Sequence, residues 1–355
     1  MSKKIVLSGA FYGTNFGDHL FAMLLSSAIG ERCVLKNASA EIVSDTKVPS
    51  VRLGAVLTAA GVVFGPGGYF GEGPQDTLRK RISRLRHHYL PAVLARWVGT
   101  PYIVVGVGVG PLKGRVTRRM LRYVMEGAVQ VSVRDQESLA YLRQCGVESR
   151  RILMGSDSAI AFPYVLPGVY TDSVGSMPTL GDSAKRRVFL HVEPKASSSL
   201  TRVWDDCLAF LLDRNCDVVL GTDFLYDEVP SIPFVRNALN SNPDRVSVAT
   251  YRNPLGLINV LRDVDSVITH KLHVGILGCA LGRAVVSFPV HPKTSRFYRQ
   301  IDESSRCLPV ESAMSGVATF LDANWEREVR LSDAVVSSSR MHFEVVEQFV
   351  SAVSK

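Results

Sequence analysis

One stretch near the C-terminal third, Asp265 to Lys293, constrains the fold more than any other part of the chain. Val267 and Ile268 end a short apolar run, and Thr269-His270-Lys271 breaks it with polar and basic groups. The small and apolar residues Leu272 to Leu281 then predict a helix, Gly282 stops it, and Ala284 to Phe288 begin a second buried strand. Strand, polar corner, helix, strand is one turn of a parallel α/β sheet.

In such a sheet the corner sits at the carboxyl end of a strand, and the following helix aims its unsatisfied N–H groups at whatever binds there. Lys271 and His273 add cationic side chains, so the corner suits an anion. A lone histidine in this place is equally compatible with a satisfied core hydrogen bond. His270, Lys271 and His273 together, with Lys293 at the end of the next strand, favour the anion.

A length of 355 residues predicts two domains, and 46% hydrophobic with 21% charged residues supplies packed cores. The formal charge of +8 favours an anionic partner: a phosphorylated small molecule, a lipid diphosphate at a membrane surface, or nucleic acid. Nucleic acid is the weakest of the three, because no binding motif accompanies the charge. Basic residues gather at Arg79-Lys80-Arg81 with Arg84 and Arg86, and again at Lys113, Arg115, Arg118, Arg119 and Arg122. Between Gln75 and Trp97, Leu78, Ile82, Leu85, Tyr89, Val93, Leu94 and Trp97 recur at helical spacing. The first cluster therefore reads as the outer face of an amphipathic helix, either simply solvated or docked on an anionic membrane. The six cysteines have no paired spacing and read as reduced thiols, which fits a cytoplasmic protein. Leu53 to Gly71 is uncharged, but Gly65-Pro66-Gly67-Gly68 would break a spanning helix, so no transmembrane segment is expected.

In chain order, Lys4 to Ser8 predicts the first strand. Gly13 to Asp18 predicts a glycine-rich loop opening a helix, with Asp18 either facing a ligand or capping that helix. Val62 to Phe64 runs into Gly65 to Gly71, and Tyr102 to Val105 into Gly106 to Pro111. Both read as strands ending in glycine-rich turns, which serve either a shared cleft or close helix packing. The candidate cleft-loop residues are Asn15, Gly17, Asp18, Gly67, Gly68, Tyr69, Gly108 and Gly110. Gln130 to Val133 predicts a further strand, followed by a helix with Asp135 as N-cap. Arg134, a cation just before a helix N-terminus, opposes the dipole unless an anion accompanies it.

The expected layout is an N-terminal α/β domain over 1–165, a linker over 166–185, a C-terminal α/β domain over 186–325 and a helical tail over 326–355. Strand and helix alternate in both halves, so the fold class is α/β, two doubly wound Rossmann-like domains facing a cleft.

With these residues laid out, the chain resembles the polysaccharide pyruvyl transferase family, whose architecture is like that of GT-B glycosyltransferases. The resemblance rests on an ordered set spanning most of the chain: Gly17-Asp18, Gly65 to Gly71, Gly108 to Pro111, Val133-Arg134-Asp135 with Ser138, Asp157, then Lys271-Leu272-His273 with Lys293. It implies transfer of the pyruvyl group of phosphoenolpyruvate to two hydroxyls of a sugar, forming a cyclic ketal and releasing phosphate. It also implies a donor site of Arg134, Lys271, Leu272, His273 and Lys293. His273 would be the acid that protonates the methylene carbon, and Asp18 the base. The family's Arg-Leu-His reads Lys271-Leu272-His273 here, replacing a planar bidentate fork with a point charge. No metal or cofactor is expected: no carboxylate or cysteine completes His270-x-x-His273 with His291, and phosphoenolpyruvate enters as a substrate. The expected acceptor is a polysaccharide or lipid-diphosphate-linked glycan precursor at the inner face of the cell membrane. A nucleotide-sugar glycosyltransferase of the same architecture and a non-catalytic glycan-binding member are the alternatives.

Overall fold

All ladders between the described strands are parallel, as buried apolar runs joined by helices require. The computed structural model describes residues 3–13, 15–73, 76–148, 152–167, 185–313 and 316–355. The chain divides into two units, Met1–Pro167 with Asp333–Lys355, and Gly168–Ser332. Most of the expected linker, residues 168–184, lies outside the described residues.

In the first unit the elements are β1 (Ile5–Ser8), α1 (Phe16–Ile29), β2 (Cys33–Lys36), α2 (Ala40–Thr46), β3 (Ser50–Val51), β4 (Gly61–Phe64), β5 (Gly67–Phe70) and α3 (Leu78–Arg84). A π-helical turn (Leu85–Tyr89) leads into α4 (Leu90–Trp97), followed by β6 (Tyr102–Val109), α5 (Arg115–Gly127), β7 (Val131–Val133), α6 (Gln136–Gln144), β8 (Ile152–Met154) and α7 (Phe162–Val165). The sheet order is β3-β2-β1-β4-β6-β7-β8, with β5 also on β6. Winding reverses between β1 and β4, whose carboxyl ends are therefore the natural binding edge.

The structure corrects the expectation of glycine-rich turns in two places. Gly67, Gly68 and Tyr69 lie within β5, and β6 runs on through Gly108, so of that group only Gly110 is in a loop. The glycines serve a bulge instead: the register of β6 shifts between Val104 and Val107, and Gly106 takes φ +62° where a Cβ would lie 2.3 Å from Ser158 Oγ.

The second unit comprises β9 (Arg187–His191), α8 (Ser198–Asp213), β10 (Asp217–Gly221), α9 (Pro233–Ser241), β11 (Val246–Ala249), α10 (Pro254–Arg262), β12 (Ser266–Thr269), α11 (Leu272–Ala280), β13 (Ala284–Ser287), α12 (Pro292–Gln300), α13 (Val310–Ala313) and α14 (Val317–Asn324). Its order, β11-β10-β9-β12-β13, is doubly wound with the reversal between β9 and β12. Short polar side chains start α8 and α10: Ser197 accepts from Leu200 N at 3.2 Å and Asn253 from Gly256 N at 2.8 Å. Trp204, Phe210 and Leu211 on α8 pack over Leu190, Val218 and Leu220 of the sheet.

The last helix, α15 (Asp333–Ala352), belongs to the first unit. Ser339 Oγ donates to Asp157 O at 2.8 Å. His342 bridges Ser132 Oγ and Ser156 O, each at 2.8 Å.

Candidate functional site

The reversal point of the second unit carries a continuous run of titratable side chains. His191 ends β9 and His270 follows β12, and the pairing of Leu190 with Ile268 sets the two histidines side by side. Their Nδ1 atoms are 3.3 Å apart, and the rings meet edge to face with centroids 4.5 Å apart. Outward from this pair, His191 Nε2 donates to Asp223 Oδ1 at 3.2 Å. On the other side His270 Nε2 lies 3.4 Å from Glu193 Oε2, an ion-pair separation without an aligned hydrogen bond. Lys271 Nζ donates to the same Glu193 oxygen at 2.8 Å. Among the described residues no group converges in the manner of a metal site, and these side chains form a chain instead.

Burial, then the neighbouring His191, pushes His270 down to about 4, so it is neutral at pH 7. Burial opposes ionisation of Glu193 and Asp223. Contacts with His270 and Lys271 overcome it at Glu193, and the His191 contact overcomes it at Asp223, holding each carboxyl at about 2. The corner therefore carries two carboxylates and one ammonium.

The predicted residues of this corner fall as follows. Lys271 is the residue before α11, and no side chain caps that helix. Leu272 is buried at its first position and anchors the turn, while His273 at the second is half-buried. Lys293 is exposed in the first turn of α12. His291 is pushed down by burial, then by Lys293 and Lys271, which places both lysines in one electrostatic neighbourhood. His191, Glu193 and Asp223 were missed. Their sequence signal was slight, a polar residue closing or just following each apolar strand.

In the first unit, Arg134 is 8% exposed, and its NH1 donates to Asp157 at 3.0 Å with Asp135 3.7 Å from Nε. The anion accompanying this cation is thus the protein's own. Asp135 caps α6 through Ser138 N at 2.7 Å, and Ser138 Oγ accepts from Val109 N, fixing the helix to β6. At the start of α1 the cap is Asn15, which accepts from Gly17 N at 2.8 Å. Asp18 is a first-turn acid and not the cap.

Near Asp18 the expected cleft residue Tyr69 is joined by Tyr12, His87, His88 and Lys36, which sequence reasoning overlooked. Asp18 acts on both Tyr12 and Tyr69, raising their pKa after burial. The Tyr69 ring stacks on His88 at 4.2 Å, and Tyr12 Oη is 3.5 Å from His88 Nε2. His87 and His88 are carried by the π-helical turn, a distortion that often marks functional positions. Lys36 ends β2, only 2% exposed, with no ion pair or side-chain hydrogen bond among the described residues. Burial pushes its amine down to about 8, and burial with Lys36 beside it pushes His88 down to about 3. Tyr12, 59% exposed, is the accessible ring of this group, and an exposed aromatic ring can pack on a sugar.

Two Rossmann-like units, each a parallel sheet with a winding reversal, define a GT-B-like protein. The family model for polysaccharide pyruvyl transferases matches residues 15–292, and the chain belongs to that family of transferases. No curated protein matches the sequence. Among solved structures, the chain is similar to UDP-GlcNAc 2-epimerase from Neisseria meningitidis bound to UDP-GlcNAc. That match has a TM-score of 0.63 and 9% identity, covering 98% of this chain and 100% of that one. It is similar also to MnaA of S. aureus in a co-structure with UDP (0.62, 11%, covering 100% and 98%). HepE of Anabaena with UDP and glucose follows (0.54, 12%, covering 98% of each). At these identities the likeness is one of fold.

Proposed function

We propose that the protein transfers the pyruvyl group of phosphoenolpyruvate to two hydroxyls of a saccharide in a polysaccharide or lipid-linked precursor, at the cytoplasmic face of a membrane. The observation that carries this reading is the corner at the β9/β12 reversal, where Lys271 and the open N-terminus of α11 sit beside a chain of proton-carrying groups. Phosphoenolpyruvate brings a carboxylate and a phosphate, and Lys271, Lys293 and the helix terminus are groups that attract them. In the reaction one hydroxyl oxygen bonds to the central carbon while the methylene carbon takes a proton, for which His273 is the proposed donor. The second hydroxyl then displaces phosphate, which leaves with that hydroxyl's proton. Asp18 is the proposed base, and the exposed Tyr12, held against the buried His88 and Tyr69, is the proposed contact for the saccharide. No metal or cofactor enters this scheme. Arg134 keeps the donor role that the resemblance gives it, with Asp157 as the partner it would share.

Thermal unfolding with phosphoenolpyruvate and separately with UDP tests this, because a ligand at 100 times its dissociation constant stabilises by about 2.7 kcal/mol. A rise with phosphoenolpyruvate that disappears in Lys271→Ala supports the proposal. UDP is the counter-ligand, since similar folds are described with UDP or UDP-sugars. A rise with UDP alone would favour nucleotide-sugar chemistry, and no rise with either would favour glycan binding without transfer.

A further inference from the structure

Residues 77–125 contain 11 lysines and arginines and no aspartate or glutamate. The rest of the chain, with 30 basic and 33 acidic residues, is net negative, so the whole basic character of the protein resides in this segment. It comprises α3, the π-helical turn, α4, β6 and most of α5. Arg79, Lys80, Arg86, Arg115 and Arg119 are exposed and form no ion pair among the described residues.

The same elements expose large apolar side chains. Leu78 is 72% exposed, Ile82 56%, Trp97 79% and Val116 70%. This corrects the expectation that Leu78, Ile82 and Trp97 would face inward. The π-helical turn inserts an extra residue between the two ends of the helix, so the face that buries Tyr89, Ala92 and Ala95 is not continuous with Leu78 and Ile82. The two helical segments are braced: the Arg96 guanidinium lies 4.0 Å over the Tyr123 ring, joining α4 to α5.

Exposed aliphatic and indole groups among unpaired arginines and lysines match the chemistry of one surface, an anionic bilayer. Apolar side chains enter the headgroup boundary there, and each nearby cation adds electrostatic attraction. We infer that the face formed by α3, α4 and α5 docks the protein on anionic phospholipid. A second copy is disfavoured as the occupant because it would bring two acid-free basic faces together. Nucleic acid would use the arginines but gives Leu78 and Ile82 nothing to contact. No described helix is long and apolar enough to cross a membrane, so attachment through this face is peripheral.

The test uses the full chain, with neither donor nor acceptor present, so its outcome is independent of the transfer reaction. The protein is sedimented with vesicles of phosphatidylcholine alone and of phosphatidylcholine mixed with phosphatidylglycerol, while tryptophan emission is followed. Trp204 and Trp325 are buried, which makes Trp97 the reporter of this face. The expected result is binding to the mixed vesicles only, weakened by salt, with a blue shift absent in Trp97→Phe. Leu78→Ser with Ile82→Ser should lower partitioning about tenfold or more while leaving the unfolding temperature unchanged, since both positions are exposed. Equal binding to both vesicle types, binding without a Trp97 response, or no binding would overturn the inference. So would a duplex DNA interaction of equal strength that the serine variants retain.

Discussion

His191 and His270 face each other through their Nδ1 atoms at 3.3 Å, and this contact fixes how protons are distributed along the whole corner. Asp223 accepts from His191 Nε2, so a neutral His191 presents a bare Nδ1, and His270 must donate to it from its own Nδ1. His270 Nε2 is then unprotonated and faces the Glu193 carboxylate at 3.4 Å, acceptor against acceptor. Lys271, 2.8 Å from the same oxygen, offsets the mismatch. With both imidazoles uncharged, the three gaps between the two carboxylates hold two protons, and a third proton would fill the remaining gap.

Imidazole nitrogen spectroscopy should accordingly find His191 as the Nε2–H form and His270 as the Nδ1–H form. Glu193→Gln should cost no more than about 1 kcal/mol, because an amide N–H can donate to His270 Nε2 and the lost Lys271 pair is partly solvated. His191→Phe strands the Asp223 carboxylate, 9% exposed, and should cost about 3 kcal/mol or more in denaturant unfolding. The reverse order of costs would disprove the assignment.

A pH dependence follows from the same burial. His270 sits at about 4 when folded against an ordinary 6.5, so between those values the unfolded chain binds more protons. Its contribution is fully present above pH 6.5 and is lost as pH falls toward 4, amounting to about 3 kcal/mol at most. His342, pushed down to about 4 chiefly by burial, acts with the same sign in the other unit. Glu193 and Asp223, held at about 2, contribute above the ordinary carboxylate range and lose that contribution only below it. Stability measured in denaturant should decline from pH 6.5 to 4, and His270→Asn should remove close to one proton from that slope.

The architecture was legible because it is local. The strand, corner, helix and strand from Asp265 to Lys293 are β12, α11 and β13 within a residue or two. The partners within the corner were not legible, since His191 and Asp223 lie 79 and 32 residues from their contacts, and only strand order brings them together. Glycine composition misled at β5 and β6, where it served a bulge and not a turn. Helical spacing misled at Leu78 and Ile82, because periodicity carries no sign of a π-helical insertion.

Arg134 poses a separate question, because it is both the expected donor contact and a buried structural cation. Arg134→Ala leaves Asp157, 3% exposed, without its charge partner and should cost 3 to 5 kcal/mol, roughly the range for a broken buried pair. Arg134→Ala combined with Asp157→Ala should cost clearly less than the sum of the two single changes, and a double-mutant cycle in urea reads that coupling. Additive costs would show that the 3.0 Å contact contributes nothing. Arg134→Lys retains the charge, so it is the variant in which a loss of phosphoenolpyruvate stabilisation can be separated from a loss of fold.

The return of α15 depends on the absence of a side chain at Gly155. A Cβ there would lie 2.4 Å from Ser338 O and 2.6 Å from His342 Nε2, both on the helix. His342 is completely buried and fully satisfied: its Nε2–H donates to Ser156 O, and its Nδ1 accepts from Ser132 Oγ, which in turn accepts from Gly106 N at 3.1 Å. Gly155→Ala must push the helix off this network and should cost about 1 to 3 kcal/mol as an overpacked site. His342→Ala leaves a cavity and a bare carbonyl, costing about 2 to 4 kcal/mol. Because both act on the same seating of α15, the double variant should fall short of their sum. Hydrogen exchange should show amides of Asp333–Ala352 losing protection before those of β10 and β12 in the other unit. Equal loss of protection across both units would mean that α15 is not a local fastening of the first unit.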